Sequence, residues 1–201
     1  MLLHQRLNGK IIVLASQSPR RQYLLKELGL PFVVRLNGNT DESYPEGLNH
    51  EEIPVYLAQK KAKPFEAELA SNEILITSDT IVWCNEKVLG KPISRENAIE
   101  ILQTLSGTMH EVITGVSIIH CGVKHSFNSV TRVFFRPLTD SEITYYVDTY
   151  KPYDKAGAYG VQEWIGYVGV ERIEGSYFNV MGLPIQKLYV ELNDFLSKLN
   201  F

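Results

Sequence analysis

The sequence has little cysteine, no long apolar run and no excess of positive charge, and each shortage excludes a class of protein. Its 201 residues include only two cysteines, Cys84 and Cys121, without the spacing of a zinc site or redox pair. We expect both to be small apolar residues inside strands, in a reducing, cytoplasmic compartment. No apolar run approaches the roughly 18 residues of a membrane span. The formal net charge of −3 attracts neither nucleic acid nor an anionic membrane, so an anion site requires a local cluster of Lys and Arg.

Two common nucleotide-binding motifs are also absent. The sequence contains neither a P-loop nor the glycine-rich turn of a Rossmann fold. The histidines are scattered without a partner pattern, and Ser16 and Ser18 have no nearby base in the sequence. We therefore do not expect a serine nucleophile.

Strand-like and helix-like segments alternate along the chain, which predicts an α/β protein with a mixed sheet. An apolar run at 10–15 predicts a buried strand, and a helix follows with Ser18 as its cap and Pro19 at its first position. The other predicted strands are at 31–36, 73–83, 111–120, 127–135 and 167–173, and the other helices at 53–69, 94–105, 140–150 and 184–199. Since no linker is visible, we expect lobes of one domain rather than independent domains.

Cationic residues recur beside turns and at one helix start. Arg20 and Arg21 lie in the first helical turn after Ser18, where the helix dipole disfavours positive charge. That cost favours arginines that bind phosphate, with a solvated surface pair as the alternative. The other cationic positions are a lysine pair in the 53–69 helix and single lysines in two glycine-containing turns: Lys60, Lys61, Lys91 and Lys155. For the lysine pair, an exposed helix face is the simpler interpretation, but together these cations suit a triphosphate.

One acid interrupts an otherwise apolar strand. Asp79 follows the run Ile74 to Ile76, and a carboxylate there is costly unless it is paired or metal-bound. It is therefore the best single candidate for a functional residue, with a structural acid at a strand kink as the alternative. Asp41 and Glu42 lie in the first long loop. Since Mg²⁺ takes one or two carboxylates plus substrate phosphates, Asp79 and Glu42 would suffice as metal ligands.

Eight segments, in this order, resemble the Maf family of nucleoside triphosphate pyrophosphatases. They begin with Ser-Gln-Ser-Pro-Arg-Arg at 16–21 and include Ser-Asp-Thr at 78–80 and Leu-Gly-Lys-Pro at 89–92. The whole set lies at 14–25, 57–62, 78–82, 88–92, 105–110, 114–116, 154–162 and 175–184, which spans nearly the whole chain. Eight motifs in the same order are too many for chance.

The resemblance implies a fold, a reaction and roles for particular residues. The fold would be one Maf-like domain over 1–201, with two lobes around a central cleft, similar to inosine triphosphate pyrophosphatases. Water would attack the α-phosphorus with a divalent cation, Mg²⁺ or Mn²⁺, bound, and pyrophosphate would leave. Asp79 falls on the family's proton acceptor, and Glu42 falls near its loop acid. The family's phosphate-side positions fall on Ser16, Arg21, Lys61, Lys91 and Lys155, and the relatives' dimers suggest a homodimer.

The resemblance also points to a substrate. Arg20, Thr80 and Gln162 match the branch that is similar to dTTP/UTP pyrophosphatases, whose role would be to cleanse nucleotide pools. A glutamine amide offers one donor and one acceptor group, which suits the edge of uracil or thymine, although Gln162 could instead bond backbone. One departure is Glu163-Trp164, where many relatives have small residues. Trp164 either stacks on a base or caps the core.

Three other functions are weighed against this one. A nucleotide-binding regulator of cell division would bind without turnover. A nucleic-acid binder would use the same basic residues, but the negative net charge argues against it. A purine-directed pyrophosphatase would keep the reaction and change the base.

Overall fold

The computed structural model of the chain describes residues 2–38 and 41–199. The helices are α1 (Leu3–Leu7), α2 (Pro19–Glu27), α3 (Ile53–Ala62), α4 (Arg95–Leu105), α5 (Asp140–Tyr150), α6 (Trp164–Gly169), α7 (Tyr177–Val180) and α8 (Ile185–Lys198). The strands are β1 (Ile11–Leu14), β2 (Phe32–Val34), β3 (Glu73–Cys84), β4 (Lys87–Leu89), β5 (Met109–His120), β6 (Val123–Phe135) and β7 (Val170–Glu174). Short 3₁₀ turns form at Lys63–Phe65 and Ala156–Ala158.

The strands of the described residues form one mixed sheet, which confirms the predicted α/β class. Its order is β2-β1-β3-β5-β6-β7, and β4 pairs with the end of β3. β1 runs parallel to β2 and to β3, whereas β4 is antiparallel to β3, and β7 to β6. Leu14, the last residue of β1, lies beside Ile76, so β3 continues beyond the end of its parallel neighbour. This register places Asp79 just past the carboxyl end of β1.

The chain divides into two compact units, each with its own buried side chains. The first contains the residues up to Asp79, then 114–129 and everything from Gly182 onward. Three of its strands contribute a cluster with α3 and the turn after it, made of Val13, Leu75, Ile119, Ala62 and Phe65. Apolar burial of this kind contributes about 25 cal/mol per Å² to folding.

The second unit contains residues 80–113 and 130–181. In it α4 packs against α5, and the side chains of Leu102, Leu105 and Tyr146 are fully buried. Each helix begins as the sequence predicted, since Ser94 caps α4, and Thr139 with Glu142 forms a capping box on α5. These caps fix where each helix starts in the chain.

Two predicted elements differ from the observed ones in type over part of their length. The helix predicted at 53–69 ends at Ala62 and continues as a 3₁₀ turn, because Pro64 has no N–H to donate to the preceding turn. The strand predicted from Tyr167 begins only at Val170, after α6. Gly166 permits this helix, since a Cβ there would lie 1.9 Å from the carbonyl oxygen of Val161.

The prediction for the cysteines is half wrong. Cys84 is buried in β3, as expected, but Cys121 is exposed in the turn between β5 and β6, with a φ of 47°. Both are free thiols. Over the described ranges, no helix combines the length and the apolar character needed to cross a bilayer.

Candidate active site

In the first unit, one lysine bridges two acids. Asp79 is 7% exposed in β3, and its Oδ1 accepts a short hydrogen bond from Nζ of Lys61 on α3. The same ammonium donates to Oε1 of Glu42, 3.0 Å away. Because the charge of Asp79 is balanced by Lys61, the cost of placing a carboxylate in an apolar strand is offset. The structure therefore brings Asp79, Glu42 and Lys61 together.

The neighbouring lysine fixes the loop that carries Glu42. Lys60 Nζ donates to Oδ2 of Asp41 at 2.8 Å, and to the carbonyl oxygen and hydroxyl of Ser43 at 2.9 and 3.0 Å. Its hydrogen bond, with those from Ser43, holds the pKa of the exposed Asp41 carboxyl well below its usual range. The lysine pair is thus not simply a solvated helix face, since both side chains bind the acidic loop.

At the carboxyl end of β1, Ser16 and Arg21 contact each other and β3. Ser16 is 7% exposed, and its Oγ accepts from the N–H of Ser18 at 3.2 Å and lies 3.5 Å from Arg21 Nη1. Arg21 also donates to the carbonyl oxygens of Ser78 and Gly182, each at 2.8 Å. Burial lowers the pKa of this guanidinium, with Asp79 acting in the opposite direction. The positive charge of the nearby Arg20 also lowers the pKa of Arg21, whereas the charge of Glu42 raises it. Arg20, Asp79 and Glu42 therefore all lie within electrostatic reach of Arg21.

In the second unit, the segment with Lys155 and the segment with Lys91 are joined through their main chains. The N–H of Gly157 donates to the carbonyl oxygen of Gly90 at 3.1 Å. Gly157 has a φ of +70°, and a Cβ there would lie 2.8 Å from the Val82 side chain. A glycine is therefore required for this approach. Lys91 is exposed.

Lys155 is a buried cation with acids on two sides. It is 8% exposed, and its Nζ lies 2.7 Å from Oδ1 of Asp154 and 3.1 Å from Oε1 of Glu163. The Asp154 side chain is mostly exposed, whereas that of Glu163 is mostly buried. Glu163 is therefore the inner partner of this ammonium.

The two remaining polar candidates of the second unit are both partly buried. Thr80 follows Asp79 directly in β3. Gln162 has a buried Oε1 that finds no hydrogen-bond partner among the described residues. Trp164 packs edge-on against Tyr145 of α5, with ring centroids 4.9 Å apart. Its ring therefore packs on an exposed side chain of α5, and whether it caps the core or stacks on a base stays a prediction.

A buried histidine lies behind the loop at 151–163. His110 of β5 is 1% exposed and bonds the hydroxyl of Tyr159 through Nε2 at 2.8 Å, while its Nδ1 has no partner among the described residues. Phe135 packs edge-on against both rings. Burial lowers the pKa of His110 from 6.5 to about 3 and raises that of the Tyr159 hydroxyl. His110 is therefore neutral at physiological pH.

The neutral His110 makes stability depend on pH. The unfolded chain binds the imidazole proton near pH 6.5 and the folded chain only near 3, so stability is full above 6.5 and falls as pH drops toward 3. Between about pH 7.5 and about pH 5 we expect a loss of about 2 kcal/mol from this group. In urea unfolding, the free energy of unfolding of His110→Gln should fall less than that of the wild type over this pH range. His4→Gln, at an exposed position, should match the wild type. If the free energy of unfolding fell equally with pH in both variants, His110 would not be the group that causes the loss.

The structure can be tested for the divalent ion that the family resemblance implies. Across 2–38 and 41–199, no three His, Cys, Asp or Glu side chains are grouped to hold a metal. However, Asp79 and Glu42 both approach one cation, the ammonium of Lys61. Two carboxylates that converge on a positive charge fit a Mg²⁺ or Mn²⁺ ion whose other ligands are phosphate oxygens and water.

An acid and cations at the carboxyl end of a parallel strand in an α/β chain suit an anionic ligand. The chain belongs to the family described as Maf-like protein, whose pattern matches residues 11–195. This membership confirms the resemblance drawn from the motifs.

Several relatives share about half of their residues with this chain. A dTTP/UTP pyrophosphatase of Bacteroides fragilis (strain YCH46) is 57% identical over 181 residues, 90% of this chain and 94% of that protein. Proteins of the same name from Parabacteroides distasonis and Flavobacterium johnsoniae are 54% and 50% identical, over 92% and 94% of this chain and 95% and 96% of theirs. A solved HAM1 protein from Coxiella burnetii matches with a TM-score of 0.48 at 16% identity, over 92% of this chain and 99% of that one.

Sequence reasoning gave no role to two residues that organise these groups, and it missed the contact of Lys60 with the acidic loop. Glu163 pairs with Lys155, and Tyr146 donates to Glu163. Glu163 gave a signal, because it departs from the small residues common in relatives, but its partners are distant in sequence. Tyr146 gave none, since a tyrosine in an amphipathic helix is typical of core packing.

Proposed function

We propose that this protein is a nucleoside triphosphate pyrophosphatase that hydrolyses dTTP and UTP to the monophosphate and pyrophosphate, and so cleanses nucleotide pools. The observation that carries the proposal is the ammonium of Lys61 bound by Asp79 and Glu42 at the carboxyl end of β1. Buried acid and concentrated cations together suit attack by water on a polyanion. The names of the relatives support the same reaction and the same two substrates.

In this reaction Asp79 is the general base. It takes a proton from a water molecule while the water oxygen bonds the α-phosphorus, and the bond from that phosphorus to the bridging oxygen breaks. The leaving pyrophosphate takes the electron pair of that bond. Lys61, held against Asp79, offers positive charge to the phosphates and keeps the acid in place.

Asp79 and Glu42 would hold the divalent cation, Mg²⁺ or Mn²⁺. When bound, the ion neutralises phosphate charge and polarises the α-phosphorus for attack. In the structure the Lys61 ammonium contacts the same two carboxylates, so Lys61 and the ion would share them.

The other candidates bind substrate. Ser16, Arg20 and Arg21 supply a hydroxyl and positive charge at the start of α2, and Lys91 and Lys155 supply further cations in the second unit. Gln162 and Thr80 contact the nucleoside. The buried Oε1 of Gln162, which has no partner among the described residues, supports this nucleoside contact. Such an oxygen can accept a hydrogen bond from the N3–H of uracil or thymine.

The proposed setting follows from the same assignment. The chain acts as one Maf-like domain over 1–201 and as a homodimer in the cytoplasm. It acts on free nucleotides rather than on nucleic acid or membranes, in keeping with its net charge of −3.

A nucleotide panel tests the reaction and the base. The purified protein is incubated with dTTP, UTP, CTP, ATP and GTP, each with Mg²⁺ or Mn²⁺, and pyrophosphate and orthophosphate are measured separately. We expect pyrophosphate from dTTP and UTP, loss of activity with a chelator, and little orthophosphate. Because a cytosine N3 is an acceptor and repels the Gln162 oxygen, CTP should be used at least about tenfold less efficiently.

The same panel separates the alternatives. Nucleotide binding in calorimetry without any product would favour the regulator of cell division. Turnover of ATP or GTP alone would favour a purine-directed enzyme and would remove the role given to Gln162.

A further inference from the structure

A network of three side chains lies behind the proposed substrate contacts of the second unit. The Glu163 carboxylate uses its two oxygens for different partners: Oε1 lies 3.1 Å from Lys155 Nζ, and Oε2 accepts a short hydrogen bond from the Tyr146 hydroxyl. That hydroxyl in turn accepts from the N–H of Gly160 at 3.0 Å. One carboxylate thus connects a lysine, a helix and a loop.

The tyrosine in this network is a fixed donor. Tyr146 of α5 is fully buried, and burial, followed by its bond to Glu163, raises the pKa of its hydroxyl. It therefore stays protonated at physiological pH and donates to Glu163 while it accepts from Gly160. The segment 160–163 is held at both of its ends by this single hydroxyl.

Gln162 lies inside the segment that is held. Its Oε1 bonds nothing among the described residues, so hydrogen bonds of that oxygen do not fix the amide. Both side chains lie close over Gly160: a Cβ there would lie 2.7 Å from the carboxyl carbon of Glu163 and 3.1 Å from Nε2 of Gln162. Glu163 and the Gln162 amide therefore share space that only a glycine leaves open.

Lys155 depends on Glu163 more than on its other acid. The Asp154 side chain is 59% exposed, and ion pairs with exposed acids hold a side chain weakly. Glu163, at 20% exposure, is the partner on the buried side of the ammonium. Without Glu163, Lys155 keeps only the exposed Asp154 as a partner, and its ammonium is then held weakly.

We propose that Glu163 is a positioning residue that aims the Lys155 ammonium at substrate and, through Tyr146, holds the segment that carries Gln162. The proposal rests on the proposed function, since it assigns substrate roles to Lys155 and Gln162. The two arms are separable: the charge of Glu163 acts on Lys155, and the Tyr146 hydroxyl acts on the segment of Gln162.

Three variants test the two arms. In Glu163→Gln the KM for UTP should rise about tenfold while kcat changes less than about threefold, because Lys155 loses the ion pair on its buried side. In Tyr146→Phe the preference for UTP over CTP, as a ratio of kcat/KM, should fall about tenfold, because the segment of Gln162 is released. Glu174→Gln, which removes an exposed acid paired with Arg172 in the same unit, should leave all of these values at wild type.

A second readout does not depend on turnover. The rate at which an acylating reagent modifies Lys155, followed by peptide mass spectrometry, should rise about tenfold in Glu163→Gln and stay at the wild-type rate in Tyr146→Phe. If Glu163→Gln fails to fold, Glu163→Asp, which keeps the charge and shortens its reach, carries the same measurements.

The outcomes for this proposal and for the enzyme itself are distinct. Wild-type KM in Glu163→Gln, or a wild-type base preference in Tyr146→Phe, overturns the positioning role while the pyrophosphatase assignment stands. If the wild-type protein hydrolyses no triphosphate, the proposed function fails, and with it the substrate roles, whereas the labelling rates still report whether Glu163 holds Lys155.

Discussion

Asp79→Asn should lower kcat for dTTP and UTP about 100- to 10,000-fold, the range that a positioned general base contributes. The amide keeps the size of the carboxylate but cannot take a proton from water. Lys61 retains Glu42 as a partner, so the variant should still fold. Pyrophosphate release measured with saturating nucleotide and Mg²⁺ gives the change in kcat, and a thermal melt confirms the fold.

The matched control is Asp148→Asn. Asp148 also pairs with a cation, with oxygens 2.6 and 2.9 Å from Arg95, but both side chains are largely exposed. Its kinetics should equal those of the wild type, because exposed pairs contribute little. Nucleotide binding by the Asp79→Asn protein without turnover would show that Asp79 acts in the chemical step rather than in binding. Turnover at the wild-type rate in that variant would remove Asp79 from the chemistry.

The sequence was sufficient where a local pattern has one physical explanation. Asp79 stood out because an acid in an apolar strand needs a partner, and it has one in Lys61. The caps at Ser18 and Ser94 were readable because a serine before a helical pattern has a specific hydrogen-bonding role. The α/β class followed from the alternation of strands and helices.

Long-range partners were beyond the reach of such patterns. Nothing in the sequence pairs Tyr146 with Glu163, or Lys60 with the loop at Asp41, since residues far apart meet only through the fold. The strand predicted from Tyr167 started three residues too early, because α6 extends to Gly169 and the strand begins at Val170. Local β propensity is too weak to fix the boundary of so short a strand.

Gly115→Ala should destabilise the protein by about 3 kcal/mol, since extra atoms in a filled space force the backbone to move. Gly115 lies in β5, and a Cβ there would lie 2.3 Å from the backbone carbon and oxygen of Pro54 and from the nitrogen of Val55. These atoms belong to the start of α3, and backbone cannot turn aside as the end of a side chain can. Because α3 also carries Lys61, its displacement should reduce catalysis as well as stability.

The size of this effect depends on close contact rather than on the loss of a glycine as such, and Gly90→Ala separates the two. Nothing lies within 4 Å of a Cβ at Gly90, and its φ is outside the left-handed region. Its unfolding free energy should therefore change by less than about 1 kcal/mol. In urea unfolding with an unchanged m-value, the midpoint should be much lower in Gly115→Ala and close to that of the wild type in Gly90→Ala. Equal midpoints for the two variants would mean that there is room for a Cβ between Gly115 and the backbone of Pro54 and Val55. The helix that carries Lys61 would then not be packed closely on β5.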